Sequence, residues 1–383
     1  MASSAHTPPP NPYGTTVAPP PTPSTQPSHV STSDAADAIS RLFQRLPPAL
    51  SLPTRASPRA TSPPSISFSE QNLNLLSDLL SSSSQHGFFQ LIDHPIPSQL
   101  ARSAESESLA LFDLPRPQKQ HSFPKNWPLG FDADEDEEDG AGEAFCLESS
   151  CSTESTHLSL SSLREFTRAM EKLGLDVLDS LARAVGFENP FRSGSNRVCP
   201  LMWISEDVPG NKPDLSGRVY PYIIGLQYQI TSQKHSLLVD SGWITVSPRV
   251  DSVMVTVGDI AQVWSNGKLK KVRGRAVVNR GSEAGKSSRS ISMALLLTLP
   301  LDTPNVSPLP LLPHLPPADH GTQPYKAEEQ TEAGSTSGTS KEEEEEEEEG
   351  ERPLFRSFSF EDYAWRVYHE RLLLKDPLDR YRI

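Results

Sequence analysis

Six short segments between residues 219 and 299 have the composition and the alternation that are typical of β-strands. Turn sequences separate them, and the clearest are Asp240-Ser241-Gly242 and Ser265-Asn266-Gly267. The segments are 219–231, 235–239, Trp243–Val246, Ser252–Val257, Val272–Asn279 and Ile291–Leu299. Several short strands in succession, with few helices among them, bury their apolar faces by forming a sandwich or a barrel. The sequence therefore predicts a mainly β domain.

A long amphipathic helix is predicted before this strand region. Apolar residues recur every three or four positions from Leu163 to Ala184, which is the spacing of one helix face. Gly186 follows as a stop signal, and Ser161 or Ser162 is the expected N-terminal cap. The helix is expected to flank the strands.

The negative charge of the chain is concentrated in two acidic runs. The 383 residues carry a formal charge of −14. Eight acidic residues lie between positions 132 and 143, and eight more form the run Glu342–Glu349. Without these residues the chain would be near neutral. Runs of like charge stay solvated, so both are expected to be loops without fixed structure.

The composition divides the chain into four regions. Residues 1–64 are rich in Pro, Ser and Thr, and are expected to be a disordered tail. Residues 65–317 would form the folded domain, with an acidic loop insertion at 132–157. Residues 318–353 would be a disordered Glu-rich insertion. In the last region, 354–383, a helix over Phe360–Leu374, with Ser359 as its cap, is expected to dock on the domain.

Cysteine content and hydropathy bear on location. Cys146, Cys151 and Cys199 are too few for a disulfide framework and suit a reducing compartment. No apolar run is long enough to span a bilayer, and the N-terminal region lacks the apolar segment of a secretory signal. We expect a cytoplasmic monomer, with the nucleus as an alternative location. An organelle transit peptide ranks below both.

Several motifs resemble those of the plant 2-oxoglutarate/Fe(II)-dependent oxygenases, the group that includes gibberellin oxidases and resembles isopenicillin N synthase in fold. The segment Gly87–His94 (GFFQLIDH) resembles the family signature GFFQ-x-x-NH, and Leu111–Pro115 (LFDLP) resembles FF-x-LP. Later matches are Trp243, Val257-Gly258-Asp259, Ser265-Asn266-Gly267 and Val277-Val278-Asn279. The resemblance spans roughly residues 65 to 300. It implies a double-stranded β-helix (jelly-roll) core with flanking helices.

The family's chemistry requires two histidines and one carboxylate on one face of Fe(II). The resemblance puts the first two ligand positions, His-x-Asp in the family, on Arg218 and Tyr220, and the distal histidine position on Gly274. Arginine has no lone pair to donate, tyrosine must first lose a proton whose ordinary pKa is about 10, and glycine has no side chain. These three residues are therefore interpreted as degenerate ligand positions, with no catalytic or metal-binding residue assigned.

The clamp for 2-oxoglutarate is also altered. The family uses Arg-x-Ser on one strand face, where the guanidinium group binds the distal carboxylate. Here Ser290 falls at the arginine position, with Ser292 at the serine position and Arg289 next to it. Arg289 and Ser292 are the candidate cofactor-binding residues. Arg289 would lie on the opposite face from Ser292 unless a β-bulge turns it.

Two further features are interpreted as surface properties. His235 lies beside Lys234 and is expected at the surface rather than in a metal site. Lys271, Arg273 and Arg275 alternate along one strand, and we expect them to form a solvated outer face that discourages sheet pairing.

Compared with the family motifs, this chain lacks the residues that bind iron and 2-oxoglutarate, and it retains residues that have structural roles. We therefore expect a non-catalytic binding or regulatory protein, with no cofactor, whose ligand is a small molecule or a protein. No membrane partner is expected, and the lack of a basic stripe with aromatic residues argues against nucleic acid. The alternative is an active or atypical dioxygenase that uses Fe(II) and 2-oxoglutarate to hydroxylate a small plant metabolite or hormone.

Overall fold

A computed structural model of the chain describes eight stretches of it. These are residues 60–133, 143–151, 159–192, 197–207, 220–279, 290–311, 352–370 and 375–383. Arg218, Arg289, most of the Pro/Ser/Thr-rich tail, much of the acidic loop and nearly all of the Glu-rich insertion lie outside these stretches.

Eleven strands are present in the described residues. They are β1 (Ser65–Ser67), β2 (Phe88–Ile92), β3 (Gly130–Asp132), β4 (Ala144–Glu148), β5 (Cys199–Asp207), β6 (Ile224–Tyr228), β7 (Lys234–Val239), β8 (Gly242–Val246), β9 (Val253–Val257), β10 (Val272–Asn279) and β11 (Ser290–Thr298). The α-helices are α1 (Leu75–Gln85), α2 (Ser98–Phe112), α3 (Arg116–Ser122), α4 (Ser161–Val185), α5 (Asp259–Trp264) and α6 (Phe360–Glu370). A 3₁₀ turn follows at Pro377–Tyr381.

The strands form two sheets. The larger has eight strands in the order β1-β2-β9-β6-β11-β5-β4-β3, and the smaller has three in the order β10-β7-β8. All pairs are antiparallel except β1 with β2. From β6 onward the chain passes between the two sheets at four points, from β6 to β7, from β8 to β9, from β9 to β10 and from β10 to β11, as in a jelly roll. The predicted fold class, mainly β with flanking helices, is confirmed.

One face of the large sheet packs against α4. Gly174 of α4 lies so close to the sheet that an added Cβ would come within 2.8 Å of the Leu297 side chain and 3.1 Å of the Leu226 side chain. The small residue allows this close approach, and most of the apolar stripe of the helix is buried, including Leu163, Met170 and Val177.

The other face of the large sheet meets the small sheet. Phe88 and Met254 of the large sheet form one buried cluster with Leu237, Val246 and Val272 of the small sheet. Residues that face each other across antiparallel strands share a face. The side chains of this cluster therefore mark the interior between the two sheets.

The N-terminus of α4 is capped from another helix. The carboxylate of Glu107 in α2 accepts from the backbone N–H groups of Ser162 (3.0 Å) and Leu163 (2.8 Å). No side-chain cap comes from the residue that precedes the helix. The expectation that Ser161 or Ser162 caps the helix is therefore wrong, since Glu107 satisfies the free N–H groups. The predicted end at Gly186 is confirmed, with a left-handed φ of 93°.

Besides the three-residue strands β1 and β3, two longer strands form in segments where no strand was predicted. Residues Ala144–Glu148 form β4 inside the predicted acidic loop, because the five-residue run AFCLE is apolar enough to pair with β5 and bury Phe145 and Cys146. The acids around it masked this signal. The other is β5 itself, which pairs with both β4 and β11 and thus lies inside the large sheet.

The C-terminal segment docks on the domain. Helix α6 has Tyr363 and Val367 buried, as expected, and the N–H of Asp362 donates to Ser359 Oγ over 3.4 Å. The described part of the helix ends at Glu370, and Leu374 lies outside the described residues.

Candidate functional site

Tyr220, at one of the expected iron-ligand positions, is buried among aromatic side chains. Its ring centroid lies 5.8 Å from that of Trp127 and 6.3 Å from that of Phe360, and its exposed fraction is 2 %. Burial raises the pKa of the Tyr220 phenol well above its usual range, with a smaller contribution from Cys199 and Cys146. The side chain is therefore a neutral phenol at every physiological pH.

The other two expected ligand positions, Gly274 and Arg218, have no side chain in the described structure. Gly274 lies in β10, where the pairing with β7 is irregular between Arg273 and Val277. It offers no side chain to any site. Arg218 lies outside the described residues.

Ser292, the described half of the expected clamp, is buried on β11. Its hydroxyl accepts a hydrogen bond of 2.6 Å from Gln227 Nε2 of β6. Ser290 is two residues away on the same strand. Arg289 lies outside the described residues, so the arrangement of the pair Arg289 and Ser292 stays a prediction.

Beyond Ser292, buried polar side chains continue toward the small sheet. Gln229 Nε2 donates to the backbone oxygen of Gln227 over 3.2 Å, and Gln229 Oε1 lies 2.7 Å from His235 Nε2. The run Ser292, Gln227, Gln229 and His235 thus links β11 and β6 of the large sheet to β7 of the small one. We call these four residues the inter-sheet polar run.

The expectation that His235 lies at the surface is wrong. Only 1 % of the residue is exposed, because it lies directly opposite Val246 of β8 and two residues from Leu237, both of which are fully buried. Burial lowers the pKa of the imidazole from 6.5 to about 4. His235 is therefore neutral at pH 7. Its place was predictable only from the alternation with Leu237, which the adjacent Lys234 obscured.

Lys271 is also misassigned by the sequence. It is fully buried, and its ammonium group lies 2.8 Å from the carboxylate of Asp259 and 2.5 Å from that of Asp376. The expected solvated outer face therefore does not include Lys271. It faces inward because two carboxylates, one from α5 and one from the C-terminal segment, compensate its charge there.

Among the residues that the structure describes, no group of three or more His, Cys, Asp or Glu side chains is arranged to hold a metal ion. His94, the histidine of the early motif, lies near backbone groups instead. Its Nδ1 accepts from the N–H of Ile96 over 3.3 Å, and its Nε2 is 3.2 Å from the carbonyl oxygen of Asp251. Burial lowers the pKa of His94, although the backbone hydrogen bonds oppose this.

Two family models match the chain. Residues 63–147 match the model described as non-haem dioxygenase in morphine synthesis N-terminal, and residues 214–298 match the 2OG-Fe(II) oxygenase superfamily. The first range covers β1 to β4, and the second covers the strands of the predicted β region. None of the helices in the described residues is both long and apolar enough to cross a membrane.

Known relatives agree with these matches. Gibberellin 2-beta-dioxygenase 1 of Pisum sativum is 28 % identical over 59 % of this chain and 73 % of its own length. Gibberellin 20 oxidase 1 of Arabidopsis thaliana is 25 % identical over 52 % of this chain and 59 % of its own length.

Solved structures share the fold. JOX2, solved in complex with 2OG, Fe and JA, superposes with a TM-score of 0.61 at 17 % identity, over 91 % of this chain and 97 % of its own. The dioxygenase for auxin oxidation of rice gives 0.57 at 18 % identity, over 84 % of this chain and 100 % of its own. At these identities the likeness concerns the fold alone.

The expectation that the chain has no cofactor is wrong in the light of these matches. The superfamily is named for 2-oxoglutarate and Fe(II), and JOX2 was solved with both. The expectation came from the ligand positions and the altered clamp, and two of the residues concerned, Arg218 and Arg289, lie outside the described residues. Residues 214–298 thus match the 2OG-Fe(II) oxygenase superfamily, residues 63–147 match the N-terminal domain of a non-haem dioxygenase, and the jelly-roll fold agrees with both matches.

Proposed function

We propose that this chain binds a small molecule between its two sheets and does not carry out the iron-dependent oxygenation of its relatives. One observation carries the proposal. The position that corresponds to the carboxylate ligand is Tyr220, whose phenol is buried against Trp127 and Phe360 and stays protonated because burial raises its pKa. A neutral phenol is a poor substitute for a carboxylate ligand.

The other two ligand positions support the same interpretation. A guanidinium group at Arg218 has only donors, and Gly274 has no side chain, so neither provides the imidazole nitrogen that its position requires. Fe(II) held in the family's manner needs all three ligands on one face. These three residues do not fit that requirement, and we derive no chemical step through the metal.

Arg289 and Ser292 are proposed as the remnant of the clamp. Ser292 Oγ already accepts a hydrogen bond from Gln227, and it still has its own proton to donate to a carboxylate. Arg289 could supply the charge only if it reaches the same strand face. Binding of 2-oxoglutarate is therefore measured separately from its conversion to succinate.

A restored triad gives the experiment a matched control. The purified full chain and the triple variant Arg218→His/Tyr220→Asp/Gly274→His would be titrated anaerobically with Fe(II) and 2-oxoglutarate, and then assayed in air for succinate. We expect background succinate from the natural chain, and tighter Fe(II) binding in the triple variant. Stoichiometric Fe(II) binding with 2-oxoglutarate turnover by the natural chain would sink the proposal.

That opposite result would favour the second candidate, an active dioxygenase that hydroxylates a small plant metabolite or hormone. The observation in its favour is that relatives such as gibberellin 2-beta-dioxygenase 1 are named for such a reaction. Uncoupled succinate formation needs no knowledge of the substrate, so the assay separates the two candidates.

A further inference from the structure

Two exposed apolar side chains, Leu354 and Ile383, lie among exposed arginines in the C-terminal region. The exposed fraction is 49 % for Leu354 and 78 % for Ile383. Arg352, Arg356 and Arg380 are exposed beside them. We propose that these five residues, here called the C-terminal basic surface, bind an acidic segment of a partner protein that carries apolar side chains among its carboxylates. This inference concerns a protein partner, goes beyond the proposed function and does not depend on it.

Backbone pairing brings the two apolar side chains together. Phe355 and Arg382 form an isolated antiparallel bridge, and the N–H of Ile383 donates to the carbonyl oxygen of Leu354 over 3.0 Å. Residues on either side of such a bridge lie opposite each other, so Leu354 lies beside Ile383. Phe355 points into the protein, with 1 % exposed, and its neighbour Leu354 therefore points outward.

Hydrogen bonds hold the arginines around this apolar pair. The side chain of Asn266 donates to the carbonyl oxygen of Arg352 over 3.1 Å and accepts from the N–H of Leu354 over 2.6 Å. This double contact fixes Arg352 next to Leu354. The guanidinium group of Arg356 donates to the carbonyl oxygen of Arg380 over 2.9 Å, so these two arginines are in contact.

The surface has an excess of positive charge. Arg382, the fourth arginine of this region, lies 3.1 Å from the carboxylate of Asp379 and 3.6 Å from that of Asp376. Arg352, Arg356 and Arg380 differ from it, since no carboxylate of the described residues lies within ion-pair distance of them. The planar guanidinium group binds a carboxylate through two parallel hydrogen bonds, so an acidic partner matches these three residues.

The apolar centre decides the class of partner. Protein interfaces combine an apolar centre with a polar rim, and arginine is enriched in them. A nucleic acid offers phosphates to the arginines, but its backbone brings no apolar group to Leu354 and Ile383. A lipid surface is typically recognised by clusters of about four to eight basic residues, whereas this surface has three. An acidic peptide with apolar side chains satisfies both parts of the surface.

The test uses two acidic peptides of equal charge. Full-length protein would be titrated at pH 7 into a fluorescein-labelled peptide that repeats Glu-Thr-Leu-Thr, and into a counterpart in which Ser replaces Leu. Fluorescence anisotropy would follow the binding. We expect the leucine peptide to bind about tenfold more tightly, since burial of one leucine side chain contributes about this much.

Charge reversal connects the binding to the arginines. The side chains of Arg352 and Arg380 make no hydrogen bond or ion pair within the described part of the chain, so Arg352→Glu/Arg380→Glu should keep the fold. It should weaken binding of the leucine peptide by about tenfold or more, because each change replaces an attraction by a repulsion. The control Arg102→Glu/Arg197→Glu makes the same change of net charge at two other exposed arginines, and should bind as the natural chain does.

A further variant accounts for the acidic run. Glu342–Glu349 ends three positions before Arg352, and its negative charge opposes the approach of an acidic peptide. A variant in which Ser replaces these eight residues should therefore bind the leucine peptide more tightly than the natural chain does. In either background, Leu354→Ser should reduce the preference for the leucine peptide over the serine peptide.

Four outcomes would overturn the inference. They are absence of leucine-peptide binding both to the natural chain and to the variant without the acidic run, equal affinity for the two peptides, unchanged affinity in Arg352→Glu/Arg380→Glu, and tighter binding of a thymidine oligonucleotide or of phosphatidylserine vesicles than of the leucine peptide. The last outcome would assign the surface to nucleic acid or to a membrane instead. The comparison of the two peptides on the natural chain needs no variant to fold. Succinate formation with Fe(II) and 2-oxoglutarate would contradict the proposed function and would not bear on this surface.

Discussion

At the scale of single residues, His235 shows how position in a strand sets the charge of a side chain. The alternation of β7 turns His235 and Leu237 into the protein, and the environment of Val246 leaves the imidazole neutral. Its pKa falls from 6.5 to about 4. A histidine whose pKa is lowered by folding takes up its proton in the unfolded chain first, so acid favours unfolding.

We therefore predict that the free energy of unfolding falls as the pH drops from about 6.5 to about 4, by about 3 kcal/mol from His235 alone. The variant His235→Phe should lose most of this dependence, and His121→Phe should keep it. Since burial also lowers the pKa of His94, a weaker slope of the same sign should remain. Urea unfolding at pH 7, 5.5 and 4.5 measures these slopes, and an unchanged slope in His235→Phe would refute the assignment.

Lys271 supplies a second residue-scale prediction. Its ammonium group compensates two buried carboxylates, those of Asp259 and Asp376. Removal of the shared partner leaves both charges buried, so Lys271→Met should lower the free energy of unfolding by about 3–5 kcal/mol. The adjacent exposed Lys270 contacts only the carbonyl oxygen of Gln85 from its side chain in the described structure, and Lys270→Met should change stability by less than about 0.5 kcal/mol. Chemical denaturation of the two variants measures the difference, and equal losses would contradict the buried ion pair.

Sequence reasoning reached the candidate site only in part. It singled out Tyr220 and Gly274 from family motifs that lie close to them, and Ser292 from the match of the segment Ile291–Ala294. It missed Gln227 and Gln229, which are ordinary strand residues until β7 and β11 bring partners to them. It also misplaced Lys271, because a lysine next to other cations suggests solvent, and its two carboxylate partners are 12 and 105 positions away in the chain.

At the scale of secondary-structure elements, the sequence predicts boundaries that depend on local pattern and misses those that depend on tertiary contacts. The predicted strands at 235–239, Trp243–Val246 and Val272–Asn279 agree closely with β7, β8 and β10, since alternation and turn residues are local signals. The start of α4 is different. Its cap is Glu107, which lies more than fifty residues earlier, so no local signal could reveal it.

The cap leads to a prediction for α4. Glu107→Ala removes an anion and two hydrogen bonds from the helix N-terminus, and should lower the free energy of unfolding by about 1–2 kcal/mol. Ser161 only donates to Glu107 through its hydroxyl group, at 3.4 Å, so Ser161→Ala should have a much smaller effect. Thermal unfolding of the two variants makes the comparison. A larger loss for Ser161→Ala would restore the cap that the sequence suggested.

At the scale of the whole molecule, the C-terminal segment completes the packing around the sheets. Phe360 of α6 lies against Tyr220, and the side chain of Asn266 both donates to the carbonyl oxygen of Arg352 and accepts from the N–H of Leu354. Asp376 then joins the segment to Lys271. The turn Ser265-Asn266-Gly267, which the sequence analysis interpreted as a family motif, is therefore also a docking point for residues nearly ninety positions later.

The ion pair of Asp376 makes the docking of the C-terminal segment sensitive to acid. Burial alone would raise the pKa of its carboxyl group, but the charge and the hydrogen bond of Lys271 outweigh burial, and the pKa is lowered. A carboxyl group with a lowered pKa stabilises the fold above its unfolded pKa of about 3.9, and that contribution is lost as the pH falls through the folded value. This window lies below that of His235, so the two contributions are separable by pH.

Deletion of residues 375–383 tests how much the docked C-terminal segment stabilises the fold. The deletion removes Asp376 and the fully buried Leu378, and leaves Lys271 with Asp259 as its remaining carboxylate in the described structure. We expect it to destabilise the protein more than Asp376→Asn does, because the point variant keeps the buried Leu378 and the packing of Tyr381 on Phe358. Circular dichroism melts of the natural chain and both variants supply the measurement. If the deletion variant had the same melting temperature as the natural chain, the segment would not contribute to the stability of the fold.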